Sequence, residues 1–140
     1  MTAERPRVLL VEDEVLITLL LQDMLLDLEC ETADAAANLD DALSAARNGA
    51  FDLALIDLNL HGKLTYPVAD LLKARRIPFI FVTGYGAVGL EPAYADAPVL
   101  EKPFHREDLE AMIARVLSDP RSCDIGQPRG PAKDRDADEK

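Results

Sequence analysis

Val8-Leu9-Leu10-Val11-Glu12-Asp13-Glu14 passes from four aliphatic side chains to three carboxylates with no residue between them. A short continuous apolar run, rather than an alternating one, fits a strand covered on both faces. The same transition recurs at Leu53-Ala54-Leu55-Ile56, which enters Asp57, and at Phe79-Ile80-Phe81-Val82, which enters Thr83. Glu31-Thr32-Ala33 and Pro98-Val99-Leu100 are weaker strand candidates. Helical stretches lie between them at 14–28, 39–48 and 68–76, and a last one follows at 106–117. Strand and helix thus alternate about five times. Parallel neighbours need crossover connections, so the pattern predicts an α/β fold, a doubly wound parallel sheet with helices on both faces.

The composition is compatible with one such domain. The chain has 140 residues, 49% of them apolar, and aromatics are only 5% with no Trp, so the core must be mainly aliphatic. Fifteen Lys and Arg against 26 Asp and Glu give a formal charge of −11, which repels a phosphate backbone and argues against nucleic-acid binding. Cys30 and Cys123 are too far apart in sequence for a metal pair and do not suggest a disulfide scaffold. No signal region or membrane-length apolar stretch occurs, so a soluble, cytoplasmic protein is expected.

Three stretches carry more specific expectations. In the first helix, Thr18, Gln22, Leu25 and Glu29 follow one mostly polar stripe, and Leu16, Leu20, Met24 and Leu28 lie opposite, toward the expected core. Leu21 and Leu25 are then left at or near the solvent side, where they become a candidate kinase-docking ridge. The fourth crossover, 84–92, contains three glycines and a proline, so its helix should be short, late or mobile. Residues 119–140 hold three prolines, two glycines, six acids and five bases, with Ile125 as the only large aliphatic. That composition predicts a disordered tail after a folded domain over 6–118.

In a parallel α/β sheet, functional groups gather beyond the carboxyl ends of the strands. Strand one delivers Glu12, Asp13 and Glu14, strand three Asp57, strand four Thr83, and strand five Lys102 before Pro103. Clustered carboxylates repel one another and need a cation. Oxygen ligands without His or Cys select a hard ion such as Mg²⁺. With a lysine and a hydroxyl beside them, the set suits an incoming phosphoryl group. Cations neutralise its oxygens, the hydroxyl donates a hydrogen bond, and one carboxylate attacks. Singly, each residue has a plainer role as a cap, turn or surface residue; together, and in this order, they define a site. His61 and His105 lack metal-ligand spacing, and His61 reads as a loop residue beside the site.

Over residues 6–118 the sequence resembles the receiver domain of bacterial response regulators. The matching pieces are Val8 through Glu14, Leu55-Ile56-Asp57-Leu58-Asn59-Leu60, Val82-Thr83-Gly84 and Glu101-Lys102-Pro103-Phe104. The resemblance implies a CheY-like, flavodoxin-type sheet of five parallel strands in the order 2-1-3-4-5. It implies that Asp57 accepts phosphate from a histidine kinase. Glu12, Asp13, Asp57 and the main-chain carbonyl of Asn59 then hold Mg²⁺, and Thr83 and Lys102 engage the phosphoryl group. It also favours a cis bond before Pro103. Receivers usually carry an aromatic residue three positions before the lysine, where Val99 stands here. Pro78-Phe79-Ile80-Phe81-Val82-Thr83-Gly84-Tyr85-Gly86 instead resembles the "FAT GUY" subgroup of single-domain receivers, which lack that aromatic and work with histidine kinases of the HWE and related families. Tyr85 is then the candidate switch aromatic, ordering 84–92 when Thr83 engages phosphate.

The leading expectation is therefore a single-domain phosphorelay regulator, a phosphoacceptor rather than a turnover enzyme, acting through protein contacts or as a phosphate sink. A haloacid-dehalogenase-like phosphatase would instead place its nucleophile after the first strand in an Asp-x-Asp pattern. A flavodoxin-like cofactor binder would need a phosphate loop where the three acids stand. A receiver fold that binds partners without phosphorylation is the remaining alternative.

Overall fold

The computed structural model describes residues 5–84 and 90–118. In chain order these form β1 (Arg7–Val11), α1 (Val15–Asp27), β2 (Glu31–Ala36), α2 (Leu39–Asn48), β3 (Leu53–Asp57), β4 (Asn59–Leu60), β5 (Lys63–Leu64), α3 (Tyr66–Arg75), β6 (Phe79–Thr83), a 3-10 turn at Pro92–Tyr94, β7 (Val99–Glu101) and α4 (Arg106–Ser118). The main sheet is parallel, in the order β2-β1-β3-β6-β7. With the small β4-β5 hairpin set aside, this is the expected order 2-1-3-4-5.

Each apolar run alternates between two cores, as strands buried on both faces must. Leu9, Val11, Ala54, Ile56, Phe79 and Phe81 pack toward α2 and α3, against Ala42, Ala46, Val68, Ala69 and Leu72. Val8, Leu10, Leu53, Leu55, Ile80 and Val82 face α1 and α4, against Leu21, Leu25, Leu109, Ile113 and Val116. The buried rings lie on the α2–α3 side, and Phe104 packs, partly buried, against the other core. Tyr94 is stacked on Tyr66 at 5.2 Å and edge-on to Phe81 at 5.6 Å. Its hydroxyl donates to Asp70 of α3, and burial, then that carboxylate, raise its pKa. The ring on the crossover thus packs against Phe81, the register partner of Val99.

The first helix corrects the sequence reading. Leu21 and Leu25 are buried, not docking residues, while Leu16 and Leu20 are exposed, and Met24 and Leu28 are only partly buried against the core. The helix is apolar nearly all round, so leucine spacing alone does not choose its inner face. Thr18 misled the assignment, because its hydroxyl donates to the Glu14 carbonyl at 3.2 Å and so sits at the flank of the buried face. The exposed acids Asp23 and Asp27, four apart, mark the solvent side. Asp27 there accepts from Arg106 of α4 at 2.9 Å.

In the fourth crossover, the helical turn at Pro92–Tyr94 is short and late, as expected. Tyr85 and the proposed tail at 119–140 lie outside the described residues. No helix among the described residues is long and apolar enough to cross a membrane.

Candidate functional site

Parallel pairing in this register brings the ends of β1, β3, β6 and β7 to one rim. Val11 is level with Ile56, Asp57 with Val82, and Thr83 with Glu101. The next residues are therefore Glu12 and Asp13 after β1 and Lys102 after β7. Glu12, Asp13 and Asp57 each place a carboxylate oxygen within 4.8 Å of the others. Lys102 Nζ lies 3.2 Å from Asp57 Oδ2, to which it donates a hydrogen bond, and 3.3 Å from Glu12 Oε1. Thr83 is buried at the end of β6, and its carbonyl accepts from the Lys102 N–H at 2.9 Å. The Lys102–Pro103 peptide is cis, as the resemblance implies.

The environment of Glu12 carries the electrostatic argument. Its side chain is only 2% exposed. One oxygen accepts the Glu14 N–H at 3.1 Å, while Oε1 is buried and, despite the nearby ammonium, accepts no aligned hydrogen bond. Burial, then the charge of Asp57, push Glu12 up to about 7, against the opposing pull of the Glu14 amide and Lys102. For Lys102, burial acts downward, but Asp57 and Glu12 outweigh it and hold the ammonium above its usual value. Lys102 is one positive charge facing three clustered carboxylates, and a hard divalent cation would complete the charge balance of such a set. The all-oxygen donor set fits Mg²⁺.

Sequence reasoning missed two features of the rim. Asn59–Leu60 and Lys63–Leu64 pair as an antiparallel hairpin just after Asp57. The Asn59 N–H donates to Asp57 Oδ1 at 3.1 Å, and Asn59 Oδ1 accepts from Gly62 N at 2.7 Å. Thr65, fully buried, donates from its hydroxyl to the carbonyls of Asp57 at 2.8 Å and Leu58 at 3.2 Å. It therefore fixes the chain that leaves Asp57. Its position just before Tyr66-Pro67, the start of α3, was the available signal. We expect Thr65→Val to lower stability by about 1–3 kcal/mol in a denaturant titration, since the Asp57 carbonyl loses the hydroxyl and the Leu58 carbonyl keeps only the Thr65 N–H. An unchanged midpoint would show that the hydroxyl bears no load.

A rim of three acids and an ammonium, with a threonine at the end of the neighbouring strand, on a five-stranded parallel sheet in this order, is the arrangement expected of a receiver domain. The chain belongs to the response regulator receiver domain family, whose model matches residues 8–114. It is 34% identical over 119 residues to the transcriptional regulatory protein TcrA of Mycobacterium tuberculosis, covering 80% of this chain and 46% of TcrA. The chain thus spans about half the length of that curated relative. The solution structure of SdrG from Sphingomonas melonis Fr1 is similar with a TM-score of 0.74 and 35% identity, over 83% of this chain and 99% of that one. The receiver domain of the sensor histidine kinase PA1611 from Pseudomonas aeruginosa PAO1, solved with a magnesium ion coordinated in its active site cleft, gives a TM-score of 0.68 at 26% identity, over 82% of this chain and 99% of that one.

Proposed function

We propose that this chain is a cytoplasmic phosphorelay receiver in which Asp57 accepts a phosphoryl group from a histidine kinase. The observation that carries the reading is the meeting of Asp57 with Glu12, Asp13 and Lys102 at one rim. Glu12, Asp13, Asp57 and the Asn59 carbonyl would hold Mg²⁺, which supplies positive charge to the phosphoryl oxygens. Asp57 attacks phosphorus through a carboxylate oxygen. The P–N bond to the kinase histidine breaks, a P–O bond to Asp57 forms, and the imidazole nitrogen keeps the electron pair. Lys102 moves its hydrogen bond from the carboxylate to the transferred group, and the Thr83 hydroxyl donates to it. The chain assists its own transfer and dephosphorylation without being a turnover enzyme. It then signals through protein contacts or drains phosphate from the kinase.

The Phe79–Gly86 stretch and Val99 support membership of the FAT GUY subgroup and a kinase of the HWE or a related family. Profiling transfer from a panel of purified kinases tests this. Strong kinetic preference for an HWE-type donor is expected, and indifference among kinase families would sink the assignment.

Val15, Leu16, Leu19 and Leu20 are exposed along α1, immediately after the acids of the site. We assign this ridge to the kinase, because a helical partner seated on it brings its phosphohistidine to the rim. Leu16→Glu with Leu20→Glu is expected to slow transfer from the kinase at least about tenfold. Labelling by a small acyl phosphate should be unaffected. Equal slowing with both donors would instead mean damage to the site.

A further inference from the structure

Two of the three carboxylates at the rim are held by main-chain amides of one short element. The β4-β5 hairpin follows Asp57 directly, and its Asn59 N–H donates to Asp57 Oδ1 at 3.1 Å. Its His61 N–H donates to Asp13 Oδ2 at 2.9 Å, across 48 residues of sequence. Asp13 stands in the connection after β1, beside two like charges that favour turning it outward to water. Among the described residues, its side chain has polar contact only with the N–H and the exposed ring of His61, both on the same oxygen.

The hairpin itself is firmly anchored. Leu60 is buried in the α2–α3 core, and at the base the Thr65 N–H donates to the Leu58 carbonyl at 3.0 Å. At the tip, His61 and Gly62 have φ of 52° and 86°. Left-handed backbone at both central positions is the two-residue turn that matches strand twist, and its second position favours glycine. The Gly62 N–H donates to Asn59 Oδ1 at 2.7 Å, which closes the turn.

We propose that Gly62 is a positioning residue for the cation site, on the reading that Glu12, Asp13 and Asp57 hold a divalent ion. The turn that Gly62 permits aims the His61 N–H at Asp13, and so sets the spacing of the Asp13 and Asp57 carboxylates before the ion arrives. With the turn relaxed, Asp13 swings outward, and the ion must draw it back against Glu12 and Asp57. The loss then falls on cation affinity and not on the nucleophile, because Asp57 keeps both Lys102 and the Asn59 amide.

The test compares the full chain with Gly62→Val and Gly62→Asn. A Cβ at this position meets nothing within 4 Å, so the valine variant strains the backbone without a clash and the fold should persist. Asparagine tolerates left-handed backbone and serves as the conservative rescue. In calorimetric titration, Mg²⁺ affinity is expected to fall about tenfold in Gly62→Val and to stay within about threefold of wild type in Gly62→Asn. With a small acyl phosphate as donor, the Mg²⁺ concentration for half-maximal phosphoryl uptake should rise by the same factor in Gly62→Val. The rate at saturating Mg²⁺ should stay within about twofold of wild type. In the metal-free proteins, the His61 amide should be protected from hydrogen exchange in wild type and Gly62→Asn, and lose that protection in Gly62→Val. Unchanged Mg²⁺ affinity in Gly62→Val, a fall in saturating rate without a shift in Mg²⁺ dependence, or an unprotected His61 amide in wild type would each overturn the proposal. A wild type that protects this amide yet binds no Mg²⁺ would instead overturn the reading of the site on which it rests.

Discussion

Asp57→Asn takes up no phosphoryl group from any donor. The substitution keeps the shape of a nearly buried side chain in which Oδ1 accepts the Asn59 amide and Oδ2 accepts the Lys102 ammonium, so the fold should persist. An amide oxygen is a poor nucleophile, and a neutral group removes one of the three charges facing the cation. Transfer of labelled phosphate from a cognate kinase and from a small acyl phosphate, followed by intact-mass measurement, reads the result. Labelling at the wild-type level would place the acceptor elsewhere. Lys102→Ala provides the contrast. It leaves all three carboxylates, and the variant should still bind Mg²⁺ while its response to phosphorylation is weak.

Glu12→Ala combined with Asp13→Ala should abolish Mg²⁺ binding and phosphorylation together, because two of the three convergent carboxylates are gone. Titration of Mg²⁺ against backbone amide shifts measures the first, and phosphate incorporation the second. Retention of either would break the link between cation and acceptor. Glu12 also carries a pH signature in the metal-free protein. Its folded pKa is raised from 4.5 to about 7, so folding favours the protonated form. The contribution is fully present below about 4.5, shrinks as pH rises, and is lost above about 7. A shift of this size corresponds to a loss on the order of 3 kcal/mol across that window. In Glu12→Gln with chelator present, denaturant midpoints should lose this decline. An equal decline in the variant would assign it to other groups.

The sheet and the rim were legible because they obey simple rules. Val8–Val11, Leu53–Ile56 and Phe79–Val82 are short, unbroken and aliphatic or aromatic, and such runs have few alternatives to a strand with both faces covered. Once they are strands, Glu12, Asp13, Asp57, Thr83 and Lys102 must share one edge, whatever their separation in sequence. The α1 face was not legible for the opposite reason. A helix with leucines on every side has no polar face to orient it, and which leucines go inside depends on the neighbours supplied by β1, β3 and α4. The hairpin at Asn59–Leu64 escaped because two-residue strands leave almost no periodicity to read. Thr65 carries no periodic signal of its own, and its hydroxyl turns back to the strand through contacts that only the fold creates.

Placing Tyr66, Phe79, Phe81 and Tyr94 together on the α2–α3 side gives the molecule an optical asymmetry. The chain has no tryptophan and three tyrosines, two of which, Tyr66 and Tyr94, stand stacked in that cluster. Near-ultraviolet dichroism and emission from this pair therefore watch one half of the interior. A spectroscopic melt reports loosening around α3 and the fourth crossover, while the aliphatic half that carries α1 can loosen almost unseen.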